Sequence, residues 1–411
     1  MADRPLRFVH AGDFHLERPL IGVSEVPDHL RDAFIDAPYR AAQKVFDAVL
    51  EHDAQFLALS GDLIHPHLAG PRGLLFLIEQ CERLAVAGKN VYWAAGEVDS
   101  PADWPTELRL PANVRTFSPS RPEEYVELRD GRPVCHVTGQ SFARRRKIRA
   151  ADFWPDKGAL FSVAVAYGAA DPAALATRSI HYWALGSAHA PATPLSAPCV
   201  AHYCGTTQGR EPAETGPHGC TLVSHEPGSE LRLALLPTDA FRWISQRLHV
   251  DASTTQPQLE RMFDARLQEL SAANPGVALL VSWHVTGTGP IAAAVRRGQL
   301  GREVLARLRG DYGHRPTSLW SVSLEFEPAA ELPEEWYEQE TILGEFLRLV
   351  REQQPGAAGD DLDLEAYLSR RQAGGNWTDA VRLDDAPLRA RVLRHAALLG
   401  ADLLTGEETH A

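Results

Sequence analysis

Five short apolar runs in the first half of the chain each lead into a glycine with polar neighbours. The polar segments after these runs are 12–15, 61–62, 96–99, 167–168 and 186–189. Apolar runs this short, bounded by turn residues, are typical of buried strands. Because open α/β sheets hold ligands in the crevice beyond the carboxyl ends of their strands, we expect these five ends to converge on one site.

The order of the elements predicts an α/β fold with two central β-sheets flanked by helices. Strands and helices alternate early in the chain, with strands expected at 6–10, 55–60 and 90–95 and helices at 39–52 and 74–87. Strands then cluster at 133–138, 160–166, 181–185, 199–203 and 221–225. Early alternation followed by clustered strands favours a two-sheet sandwich covered by helices.

The pattern predicts three regions: a first domain at 1–240, a small α/β domain at 241–328 and a helical C-terminal region at 329–411. In the small domain, strands are expected at 243–250, 277–285 and 318–326, and helices at 256–272 and 289–309. In the C-terminal region we expect one helix at 336–353, a Gly/Asp-rich linker at 355–361, and helices at 362–371 and 387–404.

Composition narrows the class of protein. The formal net charge of −13 argues against a chain that coats DNA over its whole surface, although a local basic groove can act within an acidic whole. The five cysteines are scattered, which argues against a disulfide framework and a structural zinc site. No apolar stretch approaches the ~20 residues of a membrane span, and the N-terminus lacks a signal-peptide core. We therefore expect a cytoplasmic protein with no membrane partner.

The strand-end motifs resemble those of the calcineurin-like metallophosphoesterases and, within them, the SbcD/YhaO-type DNA repair exonucleases. That family carries DxH, GD, GNHD, GH and GHxH in this order. The chain has Asp13-Phe14-His15, Gly61-Asp62, Gly96-Glu97-Val98-Asp99, Tyr167-Gly168 and Gly186-Ser187-Ala188-His189. The resemblance is strong over 5–245 and weak over 246–328. It implies a four-layer metallophosphoesterase sandwich with a small capping domain, and a metal-dependent phosphodiesterase or exonuclease activity.

The resemblance also implies a set of ligands for a first metal ion. Carried over residue by residue, these are Asp13, His15, Asp62 and His189, and all four are present. Two carboxylates and two imidazoles suit manganese or a similar divalent ion. We therefore expect one divalent metal site, with Mn²⁺ as the ion.

The residues that the family uses for a second ion are changed. That ion would share Asp62 and needs an asparagine and two histidines, but the positions hold Glu97, Tyr167 and Ser187. Glu97 could still contribute a weak ligand. The catalytic histidine is replaced by Val98, which cannot donate a proton, and Asp99 is the only remaining candidate for a catalytic role.

These changes predict a DNA repair exonuclease-family protein that is impaired or inactive as a two-metal nuclease. Two-metal hydrolysis clamps the attacking and leaving oxygens between ions roughly 3.5–4 Å apart, and loss of a general acid alone costs about 10²–10⁴ in rate. Two alternatives stay open. One is an active single-metal phosphodiesterase or DNA nuclease that uses Glu97 and His65 or His67. The other is a non-catalytic structural subunit of a DNA-associated complex, which needs no metal.

One dense basic run, Arg144-Arg145-Arg146-Lys147 with Arg149, stands out in this acidic chain. Its aromatic neighbours Phe142, Phe153 and Trp154 make it similar to a loop that contacts DNA phosphates. A solvated loop or a docking patch for an acidic partner is the alternative. DNA is therefore an expected partner.

The C-terminal helices carry apolar stripes that suit a protein partner. The stripes are Leu343, Phe346, Leu347 and Val350, then Leu388, Val392, Leu393, Ala396 and Leu399. The resemblance implies an SMC-like, coiled-coil ATPase bound through this region, and packing within the chain's own domain is the alternative. A homodimer is a further expectation.

Overall fold

The structure is a computed structural model that describes residues 5–143, 147–154, 160–287, 289–326, 332, 334–353 and 385–404. The chain divides into two compact units. The first comprises Met1–Ile244, Asn274–Leu280 and His314–Ser318, and the second the remaining ranges. The predicted division into three regions stays a prediction. Within the described ranges, every helix is too short or too polar to span a membrane.

The first unit contains two six-stranded sheets. In chain order its strands are β1 (Leu6–Ala11), β2 (Phe56–Leu59), β3 (Asn90–Trp93), β4 (Val114–Thr116), β5 (Glu123–Arg129), β6 (Arg132–Gln140), β7 (Phe161–Tyr167), β8 (Tyr182–Gly186), β9 (Ala192–Leu195), β10 (Val200–Tyr203), β11 (Gly219–His225) and β12 (Arg232–Pro237). One sheet has the order β12-β11-β1-β2-β3-β4, and the other β5-β6-β7-β8-β10-β9. The predicted α/β fold with two central sheets is confirmed.

Parallel pairing brings the carboxyl ends of the central strands to common edges. In the first sheet β1, β2, β3 and β4 are parallel neighbours. In the second sheet β6, β7, β8 and β10 are parallel neighbours. An aromatic and aliphatic core, which includes Phe8, Phe56, Val163 and Tyr182, fills the space between the two sheets. Strands buried on both faces explain why the sequence shows continuous apolar runs.

Three helices of this unit are α1 (Asp28–Glu51), α2 (Pro66–Val86) and α3 (Pro172–Ala176). Helices α1 and α2 bury Val45, Phe46 and Leu77 in a core shared with Leu57 and Leu59 of β2. Helix α1 begins 11 residues before the predicted 39 because Leu30 and Phe34 extend its buried stripe toward the N-terminus. Pro38 lies inside the helix without ending it.

Within the residues that the structure describes, the second unit contains six helices and most residues of a three-stranded sheet. The sheet has the order β13 (Phe241–Val250), β14 (Ala278–Gly287) and β15 (Leu319–Phe326). The helices are α4 (Gln256–Ala273), α5 (Pro290–Arg296), α6 (Gln299–Tyr312), α7 (Glu334–Glu338), α8 (Ile342–Glu352) and α9 (Ala386–Leu404). Leu343 and Leu347 of α8 pack with Ala397 and Ala401 of α9.

The prediction of one helix at 336–353 is wrong. Two helices, α7 and α8, occupy the region, and the Thr341 side chain caps α8 by accepting a hydrogen bond from the Gly344 N–H at 3.2 Å. A threonine cap starts a new helix because it satisfies a backbone donor that has no partner within the helix. The predicted linker at 355–361 and the helix at 362–371 lie outside the described residues.

Candidate metal centre

The five strand ends converge, as their positions in the sequence predict. The Asp13 N–H donates to the Gly61 carbonyl at 2.8 Å, and the His15 N–H donates to the Asp62 carbonyl at 3.0 Å. From β8, the Ser187 N–H donates to Asp13 Oδ2 at 3.2 Å. Any side chain at Gly186 would collide with the Ser60 carbonyl, so glycine permits this close approach. Backbone bonds therefore hold the loops after β1, β2 and β8 together.

Backbone strain is concentrated at this convergence. Among the described residues other than glycine, six have positive φ, and four of them are Asp13 (51°), His15 (44°), Asp62 (53°) and Ser187 (95°). Such conformations cost of order 1–3 kcal/mol each and cluster at functional sites. The fold therefore stabilises an unfavourable local geometry in order to aim these side chains.

Three side chains form a candidate ligand set, and we call them the first-ion half of the centre. One ligand atom from each of Asp13, His15 and His189 lies within 4.8 Å of the other two. Asp13 and His15 are buried, whereas His189 reaches solvent. Asp13 Oδ1 and both ring nitrogens of His15 are buried without a hydrogen-bond partner. Buried polar atoms are almost always paired, so this arrangement fits a cation held between them.

A glutamate stands behind each histidine of this half. His15 Nδ1 lies 3.5 Å from Glu17 Oε1, and His189 Nδ1 lies 3.0 Å from Glu214 Oε1. Carboxylates in this position orient metal-binding imidazoles and fix their tautomer, which leaves Nε2 for the ion. Burial raises the pKa of Glu214, but hydrogen bonds from His189 and the Arg210 backbone outweigh it and lower the pKa to about 2. Glu214 is therefore a permanent anion.

The electrostatics of the first-ion half favour a bound cation. Burial and the neighbouring Asp62 charge raise the pKa of Asp13 well above its usual value. Burial lowers the pKa of His15 and keeps its imidazole neutral, which is the form that binds metals. A divalent cation would relieve the repulsion between the two carboxylates.

Arg210 places a buried positive charge beside this half. Only 6% of the residue is exposed, and its Nη2 lies 3.5 Å from His189 Nδ1 and 3.8 Å from Glu214 Oε1. Its Nη1 is buried without a hydrogen-bond partner. Burial lowers the pKa of the guanidinium, but arginine remains charged at neutral pH.

Asp62 lies next to the three-residue cluster but is engaged elsewhere. Its Oδ2 is 3.8 Å from His15 Nε2, so the carboxylate borders the same space. However, Oδ1 accepts the Val98 N–H at 3.1 Å, and Oδ2 accepts the Tyr167 hydroxyl at 2.6 Å. Its role as a fourth ligand stays a prediction.

The remaining changed positions, together with Asp62, form what we call the second-ion half: Asp62, Glu97, Tyr167 and Ser187. Tyr167 puts a phenol where the family has an imidazole, and burial together with the bond to Asp62 raises its pKa. The phenol therefore stays protonated, as a hydrogen-bond donor and a poor metal ligand. Glu97 is exposed and does not join the ligand set of the described residues. Its role as a weak ligand stays a prediction.

The Asp99 carboxylate is buried and accepts hydrogen bonds from the backbone and from a tryptophan. It is 2% exposed and accepts N–H bonds from Asp62, Leu63 and Gly96, as well as from the Trp93 indole at 2.9 Å. Burial and then the Asp62 charge raise its pKa to about 7. A carboxylate enclosed by four donors holds the strand ends in place, and a catalytic role for Asp99 stays a prediction.

The other predicted residues lie at the edge of this centre. The His65 N–H donates to Glu17 Oε2 at 3.0 Å, and the His65 and His67 rings are 6.0 Å apart at the start of α2. Neither joins the ligand set among the described residues. Lys147 forms an isolated bridge with Ala169, while Arg144, Arg145 and Arg146 lie outside the described residues.

Reasoning from the sequence missed the parts played by Glu17, Glu214 and Arg210. Glu17 comes two residues after His15, a spacing that by itself is a weak signal. Glu214 and Arg210 belong to the segment after β10, and they meet His189 only through the fold.

Comparison with known proteins supports this picture at the level of the fold. The chain is 27% identical over 299 residues to YhaO of Bacillus subtilis (strain 168), an uncharacterized metallophosphoesterase. The match covers 69% of this chain and 72% of that protein. No family model matches the chain.

Two solved structures show a more distant likeness. A dimetal phosphatase from Danio rerio is 10% identical with a TM-score of 0.35, and the match covers 57% of this chain and 99% of that one. A Staphylococcus aureus protein described as a 5′-nucleotidase, in complex with alpha-ketoglutarate, is 11% identical with a TM-score of 0.37. That match covers 64% of this chain and 58% of the other.

The two-sheet architecture, the motif order and the likeness to a metallophosphoesterase agree. The two-sheet α/β fold is the one that the motifs predict, and it is consistent with the likeness to a metallophosphoesterase.

Proposed function

We propose that this chain is a DNA-associated protein of the exonuclease type that binds one divalent ion, Mn²⁺ in preference, and is impaired or inactive in two-metal hydrolysis. Asp13, His15 and His189 would hold the ion, with Asp62 as a fourth ligand. The observation that carries this proposal is the contrast between Asp13 Oδ1 and His15 Nε2, which have no partner, and the Asp62 oxygens, which both have one.

A bound divalent ion would supply Lewis-acid polarisation of a phosphoryl oxygen and charge stabilisation. The chain's own residues limit the hydrolysis that such an ion could support. Val98 cannot protonate a leaving group, and the Tyr167 hydroxyl is committed to Asp62. The site therefore favours binding a phosphodiester over cleaving it.

Metal binding and nuclease assays test this function together. Equilibrium dialysis against Mn²⁺ should give one equivalent per chain. DNA hydrolysis in Mn²⁺ should be at background and unchanged by Asp62→Ala. Robust hydrolysis that Asp62→Ala abolishes would refute the impaired function, and no bound Mn²⁺ at millimolar concentration would refute the retained site.

A second candidate function is an active single-metal phosphodiesterase or DNA nuclease. The Arg210 side chain favours it, because a buried guanidinium with an unpartnered Nη1 supplies positive charge of the kind that a second ion would provide. In that case Arg210→Lys should lower the rate of DNA hydrolysis by more than it weakens Mn²⁺ binding. If the substitution lowers the hydrolysis rate and Mn²⁺ binding equally, the only role of Arg210 is to support His189.

An SMC-like ATPase partner is part of the proposal. The inner faces of α8 and α9 bury Leu347 and Ala401 against each other, but Ile342 (74%), Leu349 (56%) and Leu403 (67%) remain exposed on these helices. Exposed apolar side chains on a helical pair suit a docking surface. Co-elution with a purified SMC-like ATPase in size-exclusion chromatography, lost in Leu349→Asp/Leu403→Asp, is the expected result. Co-elution of the variant, or none with the wild type, would contradict it.

A further inference from the structure

A cavity of about 380 Å³ adjoins the second-ion half of the metal centre. Tyr167 links the two, because its ring lines the cavity while its hydroxyl donates to Asp62 Oδ2. Two hydrogen bonds fix the loop that carries Phe142 to the segment after β3. The Phe142 N–H donates to the Ala95 carbonyl at 2.8 Å, and the Ala95 N–H donates to Ser141 Oγ at 2.9 Å. The cavity therefore opens at the carboxyl ends of β3, β6 and β7, where α/β sheets bind ligands.

The cavity has a mixed lining, in which three aromatic residues lie beside polar ones such as Gln140 and Ser141. Phe142 and Tyr167, both half-buried, meet edge to face with ring centroids 5.7 Å apart. Phe153 is buried and forms part of the lining, together with the half-buried Ile148. Aromatic rings that are only partly covered offer a stacking surface to a planar ligand.

The rim of the cavity is cationic in an otherwise acidic chain. Lys147 and Arg149 are both exposed and line the opening. The acidic Asp152 also lines the cavity, and among the described residues its Oδ2 lies 3.8 Å from Arg149 Nε, a loose pair that is open to solvent. The bridge between Lys147 and Ala169 and the bond from the Ile148 N–H to the Ala169 carbonyl fix the backbone of this rim beside the end of β7.

We propose that this cavity is a nucleotide subsite, which stacks the base of one nucleotide of a single strand on Phe142 and holds its phosphate near Lys147 and Arg149. The volume lies within the range of ordinary small-ligand sites. The inference deepens the proposed function, since it names where a nucleic acid would lie relative to the metal centre. Stacking tolerates any base, so the subsite selects for single strands and not for a sequence.

The test is calorimetric titration of the full chain with dAMP, deoxyadenosine and ribose 5-phosphate in EDTA, so that no metal-bound phosphate contributes. Wild type should bind dAMP more tightly than either fragment. Phe142→Ala should weaken dAMP roughly 5- to 150-fold, the range for loss of one stacking partner. Leu75→Ala removes an exposed apolar side chain of α2, outside the cavity, and should change nothing.

Two further variants keep the result interpretable if Phe142→Ala folds poorly. Ala143→Trp fills the cavity from an exposed position and should abolish dAMP binding. Lys147→Ala/Arg149→Ala should weaken dAMP and flatten its salt dependence while leaving deoxyadenosine unchanged. Equal dAMP affinity in Ala143→Trp, Phe142→Ala and Leu75→Ala would overturn the proposal, as would the absence of binding at millimolar dAMP.

Mn²⁺ dialysis on the same preparation separates this proposal from the function on which it rests. Mn²⁺ binding without dAMP binding would contradict the nucleotide subsite and leave the proposed metal site standing. If dAMP binds in EDTA but Mn²⁺ does not bind, the metal site is contradicted and the nucleotide subsite stands.

Discussion

The two halves of the candidate metal centre differ in how their polar atoms are used. In the first-ion half, Asp13 Oδ1 and His15 Nε2 are buried and unpaired, and Glu17 and Glu214 stand behind the two histidines. In the second-ion half, both oxygens of Asp62 accept hydrogen bonds. Unpaired buried ligands are costly unless something binds them, whereas satisfied ones are stable alone. The difference supports the proposal that the first-ion half binds an ion and that hydrogen bonds close the second-ion half.

The largest effect should come from removing a ligand of the first-ion half. Asp13→Ala should weaken Mn²⁺ binding by more than about 100-fold, since even residues behind the ligands cost 10- to 100-fold. Isothermal titration with Mn²⁺ measures the loss. Asp53→Ala, which changes an exposed turn aspartate that also has positive φ, is the matched control. Unchanged binding in Asp13→Ala would contradict the comparison.

Asp99 tests how the second-ion half is held in place, because its carboxylate accepts a hydrogen bond from the Asp62 N–H. Asp99→Ala leaves four N–H donors without their acceptor and should lower the free energy of unfolding by at least about 3 kcal/mol, given roughly 1–3 kcal/mol for each buried unsatisfied group. Urea unfolding measures the change. Asp103→Ala, at an exposed position in the same loop, should cost less than about 0.5 kcal/mol. Similar stability in both variants would restore a functional role for Asp99.

Glu214→Gln tests whether the carboxylate behind His189 matters to the ion. The amide keeps the shape but loses the charge that orients the imidazole, so Mn²⁺ affinity should fall about 10- to 100-fold with stoichiometry unchanged. Glu17→Gln should act in the same way through His15. Glu211→Gln, exposed in the same segment as Glu214, should leave the titration unchanged. Affinity that matches wild type in both Glu17→Gln and Glu214→Gln would show that the two glutamates only pack.

Replacing Tyr167 alone should have the smallest effect on Mn²⁺ binding. Replacing it together with its neighbours tests whether the missing ligands exclude a second ion. Tyr167→Phe removes the donor to Asp62 Oδ2 but adds no ligand, so Mn²⁺ stoichiometry should stay at one and affinity should change by a few-fold at most. Tyr167→His together with Ser187→His and Glu97→Asn supplies three nitrogen or amide ligands next to Asp62. A weak second equivalent should then appear. A second equivalent in Tyr167→Phe alone would mean that the phenol, and not the missing ligands, excludes the ion.

Elements with strong apolar patterns were predictable from the sequence, and weakly patterned ones were not. The central strands β1, β2 and β8 lie where their apolar runs indicate. Strand β5 was missed because it lies at the sheet edge and exposes Val126 and Leu128, which breaks the expected alternation. Strand β4 has only three residues and is partly exposed. Such strands form because a neighbouring strand offers hydrogen bonds, which a local pattern does not record.

The candidate site shows the same limit at the level of side chains. Motif order predicted that Asp13, His15 and His189 would meet, because each lies just after a strand. The hydrogen bonds from Tyr167 to Asp62 and from His189 to Glu214 join residues 105 and 25 positions apart. Only the folded chain brings these pairs together, so spacing in the sequence contains no sign of them.

The number of Mn²⁺ ions bound per wild-type chain tests the central claim most directly. Equilibrium dialysis of the metal-stripped protein, followed by elemental analysis, should find one ion per chain, and Asp13→Ala should remove it. Two ions per chain would contradict the closed second-ion half. No ion at millimolar Mn²⁺ would contradict the retained first-ion half and leave a structural subunit as the remaining interpretation.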